Sequence, residues 1–253
     1  MTYLPPVDRL LRLGAEPARR RTWPDYRLLG LEDRHVPALI RMAADPALHA
    51  AEERDPAGWA PVHAWRALGQ LRASAAAEPL LALLRRALAS DWVFREVPLV
   101  LGMIGPAALP GATMLLFDDG ADEELRIAAT QVIVTTGIEY PERRDEAAAL
   151  MVKQLEDWKD QGRELNAFLV SGLVDLQETE AAPLMQAAFA ANAVALDVNG
   201  DWEDVQVDLG LIPDRITPPP VFAAPGATPR ASAKTKQRRK AEKAARKRNR
   251  KKK

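Results

Sequence analysis

Val97–Phe117, VPLVLGMIGPAALPGATMLLF, holds no charged residue and a single hydroxyl, Thr113. It is long enough to raise the question of one bilayer-spanning helix. Its interior argues otherwise. Gly105-Pro106 falls at the centre, where glycine suits a helix C-terminus and proline suits the first turn of the next helix. The stretch predicts two short helices back to back, the most buried pair of a helical stack, and not a membrane span.

On both sides the pattern repeats. Pro61–Arg72 places Val62, Trp65, Leu68 and Leu71 three apart beside small Ala64, Ala67 and Gly69, and Ala75–Leu88 follows with Leu80, Leu81, Leu84 and Leu88. The next pair is Asp91–Ile104, with Ser90 as N-cap, and Pro106–Phe117. An offset of 33 residues lays Gly69 on Gly102, Leu71 on Ile104 and Leu81 on Met114. A third unit is Asp122–Thr136, ended by Gly137, with Pro141–Trp158. A fourth is Glu164–Leu176, with Thr179–Ala191 as its partner. Upstream, Asp33–Ala44 reads as a helix. Before it, Val7, Leu10, Leu11 and Leu13 suggest a short helix closed by Gly14, with Trp23 and Tyr26 anchoring an otherwise irregular segment onto the first repeat. Ala and Leu carry most of the apolar content and favour helix. The predicted fold class is all-α.

Helix pairs recurring at this length imply a solenoid, because one pair alone cannot bury its apolar face. Pro98 lies inside the first helix of its unit and is expected to kink it. In these features the chain resembles HEAT-like repeat proteins, whose first helix is commonly bent by proline. The resemblance covers roughly residues 33–192 and implies scaffolding or recognition, not a fixed reaction. More loosely, the Gly200-Asp201-Trp202-Glu203 segment resembles one found after the last repeat of uncharacterised bacterial HEAT-like proteins. Some of these end in a small cysteine-containing zinc module (SEC-C), which this chain lacks. The expected organisation is a capping segment over 1–33, HEAT-like helical repeats over 34–212, a proline-rich linker over 213–229 and a disordered polybasic tail over 230–253. Within it, Val194–Ile212 reads equally well as a strand (Val205, Val207, Leu209) or a helix (Trp202, Val205, Leu209), and is expected to cap the open end of the stack.

Composition bounds the chemistry. The 253 residues contain no cysteine, which excludes disulfides, thiolate zinc sites and a cysteine nucleophile. Met1–Gly14 has no apolar core of the secretory kind, so a cytoplasmic location is expected. The formal net charge of zero conceals a division. Of the 35 lysines and arginines, 14 lie in Arg230–Lys253, with one of the 35 acids, Glu242. The tail therefore carries +13 and Met1–Pro229 carries −13.

That asymmetry is the strongest functional signal. Lys234, Lys236, Arg238, Arg239, Lys240, Lys243, Arg246, Lys247, Arg248, Arg250, Lys251, Lys252 and Lys253 are the candidate contacts to RNA or a ribonucleoprotein. Lacking an aromatic, the tail has no stacking platform, so binding is expected to be salt-sensitive and indifferent to sequence. An anionic membrane surface, or no specific partner at all, are the other readings of the same run. The acidic residues Asp197, Asp201, Glu203, Asp204 and Asp208 form a candidate dock on which the tail folds back, or else an ordinary solvated face. Trp59, His63 and Trp92 are candidates for lining a groove, although packing explains tryptophans near helix starts equally well.

No phosphate loop, nucleophile elbow or paired-carboxylate motif is present. His35, His49 and His63 lie 14 residues apart with no ligand spacing, so no metal or cofactor is expected. Asp118-Asp119-Gly120 reads as a helix-terminating turn and not as a calcium loop. The expectation is a non-enzymatic adaptor that takes an unknown protein partner on its repeats and polyanion on its tail. The rivals are an enzyme accessory holding a small ligand in the solenoid groove, as in HEAT-like bilin lyases, and a structural adaptor with an incidental tail.

Overall fold

The computed structural model describes residues 2–15, 20, 23–51, 55–87 and 90–218. Among these every regular element is helical, and none is long and apolar enough to cross a membrane. The proposed linker from 219 onward and the whole basic tail lie outside the described residues. Contacts divide the chain into two compact units, Met1–Met114 and Leu115–Lys253.

In the first unit, a 3-10 turn over Val7–Arg12 precedes α1 (Val36–Ala43) and the short α2 (Pro46–His49). A further 3-10 turn, Pro56–Trp59, leads into α3 (Ala60–Gln70), followed by α4 (Ala77–Ala87), α5 (Asp91–Ile104) and α6 (Leu109–Leu116), whose last residues begin the second unit. Asp45 starts α2 by accepting from the Ala47 amide at 3.0 Å, and its other oxygen accepts the Tyr3 hydroxyl at 2.7 Å. Burial and that contact push the Tyr3 phenol up to about 12. Helix α3 packs between α1 and α5 and is buried on nearly every side. The charge-free stretch divides as its Gly-Pro centre predicts: α5 ends at Ile104, Gly105 turns with φ +87°, and α6 starts at Leu109. Helix α5 runs through Pro98, whose missing N–H removes one rung of its ladder. Ser90 sits at the N-cap of α5, but its hydroxyl makes no capping bond.

The second unit contains α7 (Glu123–Glu139), α8 (Arg144–Glu156), α9 (Arg163–Asp175), α10 (Ala182–Ala190), α11 (Leu196–Asn199) and α12 (Trp202–Leu209). Asp122 caps α7 through the Glu124 amide at 2.9 Å. The Asp118 side chain closes its own turn on the Gly120 amide at 3.0 Å, while Asp119 pairs with Arg126 at 3.1 Å. Helices α7, α8 and α9 pack on one another. Here the expected boundary at Gly137 is overturned: α7 continues to Glu139 and Gly137 lies inside it. A Cβ at Gly137 would stand 2.9 Å from both Ala147 Cβ and Leu176 Cδ2, so the glycine serves close approach and not termination.

Residues 194–212 resolve as helix. The Trp202, Val205, Leu209 spacing wins over the strand alternation because Val205 and Leu209 are both buried, with α12 packed on α9 and α10. Asn199 reinforces this by donating to the Ala167 carbonyl at 2.6 Å.

One junction recurs in both units. After α3, Arg72 takes φ +53° and the Ala73 amide reaches back to the Leu68 carbonyl at 3.1 Å; a 3-10 turn over Ser74–Ala76 then opens α4. After α9, Gln177 takes φ +58° and the Glu178 amide reaches the Leu173 carbonyl at 2.9 Å; a 3-10 turn over Thr179–Ala181 opens α10. Each step is the left-handed helix termination that satisfies a terminal carbonyl. Residue for residue, the two junctions are offset by 105 positions.

Candidate functional site

Between its apolar residues, α3 carries His63, Arg66 and Gln70, a polar stripe at i, i+3 and i+7. On an isolated helix such a stripe faces water. Here the N-terminal segment covers it. Gln70 Nε2 donates to the Pro24 carbonyl at 2.9 Å and Gln70 Oε1 accepts from the Tyr26 amide at 3.0 Å. The Gln70 carbonyl in turn accepts from Arg27 Nη2 at 3.0 Å.

Arg66 is 0% exposed and forms a two-pronged pair with Glu96 of α5, at 2.8 Å from Nε and 2.6 Å from Nη2. Trp65 Nε1 adds a third bond to Glu96 at 3.2 Å. The Arg66 guanidinium also lies 4.8 Å from the Trp23 ring centroid. Burial alone would lower the Arg66 pKa; the hydrogen bond and charge of Glu96, helped by Tyr26, more than offset it and hold the group above its ordinary value. Two buried donors, Arg66 Nη1 and Trp23 Nε1, make no hydrogen bond.

His63 is fully buried, which corrects its assignment to an open groove. Its Nε2 lies 2.8 Å from the Gly14 carbonyl and its Nδ1 2.7 Å from the Tyr26 hydroxyl. A carbonyl only accepts, so Nε2 carries a proton; in the neutral ring Nδ1 then receives the Tyr26 O–H. Trp59 and Trp92 do meet, with ring centroids 4.7 Å apart at 82°, edge to face and half-buried. Arg95 stands 5.8 Å from the Trp92 ring. Of the other histidines, His35 accepts from the Glu32 amide at 3.0 Å, while His49 contacts the Ala43 carbonyl at 2.9 Å and stacks on Trp65. Among the described residues no group of three or more His, Asp or Glu is arranged to hold a metal ion.

The acidic run at the C-terminal end of the second unit meets a cation among the described residues, and that cation is Arg215. Its Nη1 and Nη2 grip Asp201 at 2.7 and 2.8 Å, with Asp204 at 2.8 Å and Glu203 at 3.2 Å. Glu203 also accepts the Ile216 amide at 3.0 Å and the Thr217 hydroxyl at 2.5 Å. Asp201 and Asp204 close a capping box on α12. Three of the five carboxylates expected to receive the tail are thus engaged by a residue upstream of it. Asp197 lies on α11 and Asp208 on α12, half-buried. The thirteen cations from Lys234 to Lys253 lie outside the described residues.

The clasp makes the C-terminal end acid-sensitive. The Arg215 bond holds the Asp201 carboxyl below its usual range, and the Thr217 bond does the same for Glu203. Groups with lowered folded pKa values contribute stability above their unfolded values, near 4, and lose it as pH falls through the folded ones. The Ile216 and Thr217 amides are expected to lose exchange protection below about pH 4. Arg215→Gln should expose them at neutral pH; unchanged protection in that variant contradicts the clasp.

Sequence reasoning missed the buried stripe. Arg66 and Gln70 belong to no motif that singles them out, and the only signal for their cover was the pair Trp23 and Tyr26 in an otherwise irregular segment. Comparison with protein-family models, with curated proteins and with solved structures returned no match.

Proposed function

We propose that the protein is a non-enzymatic HEAT-like adaptor whose helical repeats take a protein partner and whose basic C-terminal stretch grips RNA or a ribonucleoprotein without sequence preference. The observation that carries this reading is the division of charge, −13 over Met1–Pro229 against +13 over Arg230–Lys253. Lysines and arginines displace counterions condensed on phosphate, and a dense run of them gives affinity that falls steeply with salt. If ten of the cations engage a single strand, the slope of log K against log salt is about −7. The repeat reading draws support from the 33-residue sequence match and from helix hairpins joined by the same left-handed, 3-10 junction 105 residues apart. The mechanism is tethering: the tail raises the local concentration of whatever the repeats bind near a polyanion.

Pull-down with the intact chain and with a chain ending at Pro229, at low and high salt and with and without nuclease, tests this. Nucleic acid is expected to follow the intact chain at low salt and to be lost on truncation, while a protein partner is retained by both. Full polyanion affinity in the truncated chain overturns the reading.

A further inference from the structure

We propose that Asn199-Gly200 is a covered self-modification site, at which opening of the cap formed by α11 and α12 is recorded by irreversible loss of the asparagine amide. Of the four asparagines, Asn166, Asn192, Asn199 and Asn249, only Asn199 is followed by glycine. Glycine has no side chain to shield its amide nitrogen from the preceding carboxamide. The fold nevertheless needs both residues. Asn199 ties α11 to α9 through the Ala167 carbonyl, and Gly200 turns with φ +81° where a Cβ would collide with the Asp204 carboxylate.

The reaction is ring closure followed by hydrolysis. The Gly200 nitrogen gives up its proton to hydroxide and bonds to Asn199 Cγ; the Cγ–Nδ2 bond breaks and ammonia leaves. Water then opens the cyclic imide at Cγ, leaving aspartate, or at the main-chain carbonyl, leaving a β-linked isoaspartate. The net change is the exchange of ammonia for water, and no oxidant, reductant or further reactant is needed.

Closed, the cap blocks each step. The Gly200 amide donates to the Leu196 carbonyl at 2.8 Å, so its nitrogen and proton are committed to the end of α11. The Ala167 bond, at 2.6 Å, fixes the carboxamide. Attack would place negative charge on Asn199 Oδ1, a buried atom with no donor to receive it. Asn199 is 4% exposed, which keeps hydroxide and water away from the bond. Local opening of α11 removes all of these restraints together while the helices beneath stay packed. The product does not dock again. A carboxylate at position 199 would set its oxygens against the Ala167 carbonyl, acceptor against acceptor in a buried site.

The full chain, incubated in mildly alkaline buffer with and without urea, tests this. Trypsin releases residues 164–215, and fragmentation of that peptide separates the amide-to-acid mass change at Asn199 from any at Asn166 and Asn192. In urea Asn199 is expected to convert far faster than the other two, and in the native chain about tenfold or more slower than in urea. Val198→Ala, which removes two buried methyl groups from α11, should speed native conversion about tenfold and leave the rate in urea unchanged. Asn199→Asp should lose hydrogen-exchange protection over residues 196–209 and keep it in α7. Five results overturn the proposal: equal rates in native and unfolded chains, conversion in urea no faster at Asn199 than at Asn192, an unchanged native rate in Val198→Ala, full protection of α11 and α12 in Asn199→Asp, or a loss that reaches α7 equally, which means global unfolding. Should Val198→Ala fail to fold, the wild-type rates with and without urea decide.

Discussion

Glu96→Gln is expected to destabilise the first unit by about 3–5 kcal/mol, the cost of stranding one member of a buried ion pair. Arg66 has 0% exposure and two nitrogens within 2.8 Å of the Glu96 carboxylate, so no water stands ready to replace the lost charge. The amide of Gln keeps one acceptor oxygen and turns the other prong into an NH2 donor facing the guanidinium. Against a typical total of about 5–15 kcal/mol, this loss is a large fraction of the fold's stability. Urea unfolding followed by tryptophan fluorescence measures it. Replacing both partners, Arg66→Met with Glu96→Leu, should recover most of the loss, because a well-packed apolar pair often matches or exceeds a buried ionic one. A Glu96→Gln cost under about 1 kcal/mol means that the pair is hydrated in solution.

Gly172→Val is expected to be nearly as damaging to the second unit. A Cβ there would stand 2.6 Å from Val134 Cγ2 and 2.9 Å from Met151 Cε, where α9 meets both α7 and α8. Overpacking of this kind costs about 1–3 kcal/mol for small insertions, and Val adds a branched group at a contact already too short for Ala. Helix propensity works the other way, favouring a residue other than glycine by up to about 1 kcal/mol. Packing therefore decides the sign. The control is Gly120→Ala, at an exposed turn where the nearest atom, a side-chain oxygen of Asp118, lies 3.3 Å away. Thermal unfolding should separate the two by several degrees, and equal midpoints would show that α7 and α9 do not approach closely.

Much of the helical layout was legible before any coordinates. The expected helices at Asp33–Ala44, Pro61–Arg72, Asp91–Ile104 and Glu164–Leu176 are all present with ends displaced by a few residues. Gly105 interrupts the charge-free stretch as expected, since its positive φ is a local property of one residue. Gly137 misled because glycine serves two purposes, and the choice between them depends on Ala147 and Leu176, 10 and 39 positions away. The candidate groove was only partly legible. Trp59 and Trp92 come together, but the burial of His63 depends on Gly14 and Tyr26, 49 and 37 positions distant. The acidic run invited a cation, and nothing in its spacing singled out Arg215.

The sequence by itself determined the mainly helical character, the approximate places of most helices, and the separation of acidic body from basic tail. Apolar spacing, glycine, proline and charge act over a turn or two of chain, so no partner is needed to read them. Only the tertiary structure decided which polar residues go under cover, which glycine is a contact and not an ending, and that 194–212 is helix. Those outcomes depend on desolvation and close packing between segments far apart in the chain, and an ion pair such as Arg66 with Glu96 acquires its strength only once both are out of water.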